Sequence, residues 1–340
     1  MARRLPPFSI AGANVLRGSK FVSEPIGIAR GHFVQPGERQ LDLSGYLILP
    51  GAIDLNGQTT LTRSGLLAHD ARAAAEGMTT SWISVEVTTD GPQSAARNLA
   101  VLSSLATLTD LRPRLDIPLE IAEPRDHLSG LIEDFAVGCA SISTATLSDR
   151  SGTTELNAEF RKICQLAEVL DQLGVWWTAR GANEVDRWER YRMLGARACE
   201  APRSRAVAAA AAAMDCPVVL CQGPDAERER WVSILREGFG AAVATAGSTS
   251  ALTDVPWQLS DLGVMGFAEA WQLVSTAPAR LLGMRDRGRL APGLRADLVA
   301  VNPRTRRVEL TIAGGALVYA AGVAAARVSD LALQDAIAAE

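Results

Sequence analysis

At 340 residues the chain is long enough for one barrel-sized domain plus a small accessory one, and it can bury its core without disulfides or structural metals. With 48% hydrophobic and 21% charged residues, disorder and coiled coil are disfavoured. A formal net charge of -4 without a basic tail argues against nucleic acid or a membrane surface as partner, which leaves a small molecule or another protein.

The chain opens MARRLPPFSIAGANVLRG, where two arginines are followed by prolines and turn residues instead of an apolar run, so no signal peptide is expected. No apolar stretch reaches the roughly 20 residues of a membrane helix. Residues 7–54 read as short strands broken by Gly and Pro, which predicts a small β-sheet. After Gly51 the pattern changes to short apolar runs alternating with longer helical segments, the form of repeated βα units. Residues 68–77 predict a helix with a glycine stop, followed by the β-branched strand MTTSWISVEV. A helix over 93–109 precedes the short strand PLEIAE, and a helix near 128–135 precedes VGCASIST. The amphipathic run 155–173 is closed by Gly174 and leads into VWWTA. Helices over 185–194, 203–214 and 226–237 then alternate with the strands ARACEA, PVVLCQG and GAAVATAG, and a last helix begins near Phe267.

This alternation, sustained over about 220 residues, predicts an α/β protein with a closed TIM-like (β/α)8 barrel. A doubly wound open sheet is the alternative, and no G-x-G-x-x-G opens a helix after the first strand to favour it. Strand-turn-strand text returns near the C-terminus. The expected division is therefore a barrel over 53–284 and a small β-sandwich domain assembled from both chain ends, 1–52 and 285–340, with a terminal helix.

Two segments resemble the amidohydrolase superfamily. GYLILPGAID (45–54) is similar to the lead-in to its first barrel strand. STAPARLLG (275–283), RGRLAPG (287–293) and ADLVAV (296–301) resemble its exit into the second half of the β-domain. Within that superfamily the interior is most similar to the phosphonate-metabolism family that hydrolyses ribose 1-methylphosphonate 5-triphosphate. The residues that carry this are GMTT (77–80), MLGARACEAP (193–202) and PVVLCQGP (217–224). The resemblance implies hydrolysis of a substrate by metal-activated water, the metal being held by a His-x-His after the first strand, histidines on middle strands and an aspartate on the last.

Those ligands are missing. The first-strand motif reads Asp54-Leu55-Asn56-Gly57-Gln58, with carboxamides where histidines are implied, and neutral amides are poor zinc ligands. SISTA (141–145) stands where an Asp-His pair is implied, WTAR (177–180) where Ser-His-Asp is, and AGSTS (246–250) has no aspartate, Asp254 lying further on. Only His32, His69 and His127 exist. His32 falls in the β-domain and His69 inside a helix, both ordinary structural positions, whereas His127 follows a strand and can face the mouth. The five cysteines Cys139, Cys164, Cys199, Cys216 and Cys221 show no C-x-x-C spacing and read as reduced core thiols of a cytoplasmic protein.

Three functions remain open. The first is a degenerate amidohydrolase with no cofactor that binds a small phosphorylated molecule. Asn56, Gln58, Arg180, Arg228 and Asp254 are its binding candidates, because guanidinium groups suit phosphate through paired hydrogen bonds. Against Arg228 stands a solvated helix face, beside Glu227, Glu229 and Arg230. The second is an active hydrolase of a phosphoanhydride or cyclic amide, with Glu120, Asp54, Asp116 and His127 as catalytic candidates and a carboxylate-held divalent metal, magnesium or manganese, as cofactor. Glu120 reads equally as a carboxylate satisfied by a neighbouring arginine or backbone N–H. The third is a structural or regulatory subunit, a homodimer for instance, with Trp176, Trp177, Trp188, Trp231, Trp257 and Trp271 as interface anchors or core.

Overall fold

The computed structural model describes residues 3–88, 92–119, 125–143, 153–222 and 225–338. The N-terminal part supplies eight short strands: β1 (Arg3–Arg4), β2 (Phe8–Ala11), β3 (Asn14–Arg17), β4 (Lys20–Val22), β5 (Ile26–Ala29), β6 (His32–Val34), β7 (Gln40–Asp42) and β8 (Leu47–Pro50). The barrel strands follow: β9 (Ala52–Gly57), β10 (Met78–Glu86), β11 (Asp110–Pro118), β12 (Cys139–Ser143), β13 (Trp176–Arg180), β14 (Ala198–Glu200), β15 (Val218–Cys221) and β16 (Gly240–Ala244). Between them run α1 (Arg63–Ala75), α2 (Pro92–Ser103), α3 (Arg125–Asp134), α4 (Thr153–Gln172), α5 (Val185–Met193), α6 (Arg205–Ala213) and α7 (Asp225–Arg236). After β16 come the short helices α8 (Val255–Asp261), α9 (Phe267–Ala270) and α10 (Thr276–Leu281). The chain ends with β17 (Leu298–Asn302), β18 (Arg307–Ala313), β19 (Ala316–Ala320) and α11 (Gly322–Ala338).

All eight barrel strands run parallel, each paired with its sequence neighbour. The seam between first and last is closed by hydrogen bonds: Ala246 N–H donates to the Asn56 carbonyl at 3.0 Å, and Thr245 N–H donates to Asp54 Oδ1 at 3.0 Å. Two apolar layers follow from strand alternation. Outward residues such as Val85, Leu115, Ile142, Trp177 and Leu220 pack under the helices. Inward residues Leu55, Trp82, Cys139, Ala198, Val219 and Ala242 plug one end of the barrel. The other end, where the strands finish, is left to polar side chains, the usual location of function in this architecture.

The sequence pattern misplaces one strand. It predicts a helix to residue 109 and a strand over 118–123, whereas α2 stops at Ser103 and β11 spans Asp110–Pro118. The reason is the text DLRPRLDIP: its outward residues Leu115 and Ile117 are apolar, but Arg112, Arg114 and Asp116 occupy the inward positions, so no apolar run marks the strand.

Both chain ends build the small domain. One sheet, ordered β1-β19-β18-β17-β8-β3-β4, joins residues from opposite ends of the sequence, and the other is β6-β5-β2-β7. Ile10, Ile28 and Leu41 of the second sheet pack against Ile48, Leu298 and Ile312 of the first, with Val328 of α11 added. The domain is fixed to the barrel by Arg287, whose Nη1 donates to Asp110 Oδ2 at 2.6 Å and to Thr80 Oγ1 at 2.9 Å.

Asp297 lies in this junction, accepting the Gly314 N–H at 2.7 Å with Arg295 3.3 Å away. Burial pushes its carboxyl from the ordinary 3.8 up to about 6 despite the Arg295 charge. A folded-state value above the unfolded one means the fold holds the proton more tightly. Its contribution is therefore complete below pH 3.8 and is lost as pH rises through about 6. Asp297→Asn should thus gain on the wild type by up to about 3 kcal/mol between acid and neutral pH. Urea midpoints compared at the two pH values check this; a pH-independent difference contradicts it.

Candidate functional site

The centre of the barrel mouth is a guanidinium. Arg114, on β11 and 1% exposed, donates from Nη2 to both oxygens of Glu200 at 2.8 and 2.7 Å, from Nε to Asp116 Oδ1 at 3.0 Å, and from Nη1 to the Leu55 carbonyl at 2.8 Å. Glu200, fully buried on β14, also accepts from Asn56 Nδ2 at 2.9 Å and Thr178 Oγ1 at 2.7 Å. Burial alone would push the Glu200 carboxyl up; the Arg114 and Arg180 charges and the Thr178 hydroxyl outweigh it and hold it below the ordinary range. Burial likewise works against the charged Arg114, and Glu200 and Asp116 reverse that. Both groups are ionised, a buried pair whose remaining hydrogen-bonding positions are largely filled.

Above this pair opens a cavity of about 390 Å³, lined by Gln58, Ser84, Glu86, Asp116, Ser143 and Arg180 among others. Each lies within the last three residues of a barrel strand or just after it, so the lining converges because the strands do. Ser84 Oγ donates to Asp116 Oδ2 at 2.5 Å, and Arg180 Nη1 donates to the same oxygen at 3.3 Å. Arg180 Nε lies 3.9 Å from Glu200 Oε1, which links the cavity wall to the buried pair.

Of the sequence-derived candidates, Asp116, Gln58 and Arg180 meet in this cavity. Asn56 lies on the floor beneath it, fully buried and bound to Glu200. Asp54 is in the barrel seam, where its carboxylate accepts from Thr245 N–H, Thr245 Oγ1 and Asn56 N–H at 3.0, 2.5 and 3.1 Å. Two positions need correction as mouth residues. Asp254 follows Thr253, whose hydroxyl donates to the Glu76 carbonyl just before β10 begins, which puts it at the opposite end of the barrel. The loop after β16 carries the chain there before α8 starts. Arg228 is exposed on α7 and is not part of the cavity lining. Glu120 lies outside the described residues, as does the side chain of His127, whose backbone belongs to α3.

His69 is buried against the outer wall, where a Cβ added at Gly57 would come within 3.2 Å of its Cε1; burial lowers its pKa. His32 is exposed on β6. Burial pushes the Cys139 thiol up to about 12, far from thiolate chemistry at neutral pH. Trp177, Trp188, Trp231 and Trp271 are core residues, and Trp176 and Trp257 are partly buried. No helix among the described residues is long and apolar enough to cross a membrane.

The architecture has counterparts among solved structures. A D-hydantoinase superposes with a TM-score of 0.70 at 12% identity, over 92% of this chain and 95% of that one. The fold is that of the amidohydrolases. N-acetylglucosamine-6-phosphate deacetylase from Thermotoga maritima aligns at a TM-score of 0.68 with 15% identity, covering 92% of this chain and 100% of its own. A β-aspartyl dipeptidase from Fervidobacterium islandicum AW-1 gives 0.68 at 15%, over 94% and 98%. No family model matches the chain and no curated protein sequence does.

The divalent metal that an amidohydrolase-type barrel implies does not fit these residues. The carboxylates nearest the centre already face protein donors: Glu200 has Arg114, Asn56 and Thr178, Asp116 has Arg114 and Ser84, and Asp54 has Thr245. Among the described residues no group of three His, Cys, Asp or Glu side chains is arranged to hold an ion. The arrangement can bind a polar molecule above a fixed cation.

Arg114 and Glu200 were not singled out in the sequence. The signal for both is a charged residue in a strand of otherwise apolar or small residues, ACE in β14 and RLD in β11.

Proposed function

We propose that this chain is a degenerate amidohydrolase-type protein that works without a metal ion and binds a small phosphorylated molecule, a phosphate or phosphonate ester, at its mouth. The observation that carries this reading is the Arg114 guanidinium clamped between Glu200 and Asp116 at the barrel centre. It supplies, as part of the chain, a positive charge in the place that the resemblance assigns to metal chemistry. Arg180 supports an acidic ligand, because its guanidinium lines the cavity and suits a phosphate through paired hydrogen bonds. The resemblance of residues 193–202 and 217–224 to the phosphonate-metabolism family supports the same ligand class.

Elemental analysis of purified protein should find substoichiometric zinc, iron and manganese after dialysis. Added manganese should stimulate no hydrolysis of a cyclic amide or a phosphoanhydride. One tightly held metal per chain, or turnover that rises with added metal, overturns the reading.

A further inference from the structure

We infer that the mouth cavity takes a molecule bearing a protonated amine, seated against Glu86. This builds on the proposed function, in which the acidic end of the ligand meets Arg180, and makes the ligand a small zwitterion.

Register places Glu86 of β10 beside Asp116 of β11, and both line the cavity. Their situations differ. Asp116 accepts from Arg114, Ser84 and Arg180, whereas Glu86 is exposed and takes part in no hydrogen bond or ion pair among the described residues. A carboxylate in a concave wall, next to another carboxylate, raises the affinity of that wall for a cation.

Two buried acceptors point the same way. Asn56 Oδ1 and Ser141 Oγ belong to fully buried side chains and have no hydrogen-bond partner among the described residues. Asn56 donates from Nδ2 to Glu200, and its Oδ1 is left as an acceptor without a donor beneath the cavity lining. Ser141 is the register neighbour of Asp116 and Thr178 on the inward face. Buried polar atoms are rarely left unmade, and a ligand or water rich in N–H or O–H groups would satisfy them.

The charge count agrees. Among the described residues the mouth and its floor hold the carboxylates of Asp54, Glu86, Asp116 and Glu200 against the guanidiniums of Arg114 and Arg180. A phosphate ester alone deepens that negative excess; an amine on the same molecule offsets it.

Isothermal titration near neutral pH with O-phosphoethanolamine, ethyl phosphate and ethanolamine separates the two ends of the ligand. The expected result is that O-phosphoethanolamine binds roughly tenfold tighter than ethyl phosphate, and that Glu86→Gln erases this advantage while leaving ethyl phosphate within about twofold. Glu86 is exposed, so the variant should melt at the wild-type temperature, and a melting curve verifies it. Equal affinity for O-phosphoethanolamine and ethyl phosphate, or an advantage that survives Glu86→Gln, overturns the amine inference and leaves the proposed function standing. Binding of ethanolamine without ethyl phosphate overturns the phosphorylated ligand and leaves the amine site. No binding of any of the three overturns both.

Discussion

Glu200→Met and Arg114→Met each lower the unfolding free energy by about 3–5 kcal/mol, and the double variant Arg114→Met/Glu200→Met recovers at least half of the combined loss. Each single substitution leaves one full charge buried in the barrel without its closest counter-charge. Arg114 keeps only Asp116 and the Leu55 carbonyl when Glu200 is removed. Without Arg114, Glu200 keeps Asn56 and Thr178, with Arg180 Nε 3.9 Å away. Removing both charges together spares that penalty, because two apolar side chains of similar volume fill the space. The cost left over is the lost acceptor for Asn56 and Thr178, the lost donor to the Leu55 carbonyl, and an Asp116 left with Ser84 and Arg180. A second arm isolates the cation itself: Arg114→Ala should regain stability in low concentrations of guanidinium chloride and not in equal sodium chloride. Urea titrations of the four proteins give the coupling energy. Additive single effects, or no preference for guanidinium, would show that Arg114 serves by filling volume and not by carrying charge.

The resemblance at both chain ends and the helix-strand alternation made the barrel and the shared small domain legible before any coordinates, because both rest on apolar periodicity and on turn residues. The one barrel strand that sequence reasoning misplaced, β11, is also the one that carries the cation. That coincidence has a physical cause. A strand whose inward positions hold Arg112, Arg114 and Asp116 cannot display the apolar alternation by which strands are recognised, and inward charge is what makes the mouth polar. The site was therefore readable only by subtraction. The absence of histidines at Asn56 and Gln58 was plain, but the ion pair at the barrel centre is made by Arg114 and Glu200, 86 positions apart, and no local pattern joins them. Gln58 and Arg180 were found because they sit at strand ends, a position the βα repeat does reveal; Asp116 was named only as a carboxylate, on a strand that the sequence pattern misplaced. Asp254 was misjudged because proximity to the last strand in sequence says nothing about which end of the barrel the following loop reaches.

Asp54→Ala should open the barrel at its seam. β9 and β16 share no regular ladder, and Asp54 joins them by accepting the Thr245 backbone N–H and hydroxyl, and Asn56 N–H besides. Hydrogen bonds to a charged group contribute about 1.5–3 kcal/mol each, and the Thr245 hydroxyl keeps the Asn56 carbonyl at 3.1 Å as an alternative acceptor, so a loss of about 3–4 kcal/mol is expected. Hydrogen exchange locates it: amides of β9 and β16 should lose protection ahead of those in β12 and β13, which lie across the barrel. Asp54→Asn separates this role from chemistry. A carboxamide oxygen still accepts the Thr245 N–H while its NH2 can donate to the Thr245 oxygen, so the variant should keep most of the stability and all of the ligand affinity. Were Asp54 instead a group acting on substrate or metal, the same substitution would abolish binding or turnover in a protein of undiminished stability. The two accounts therefore predict opposite outcomes for one isosteric change.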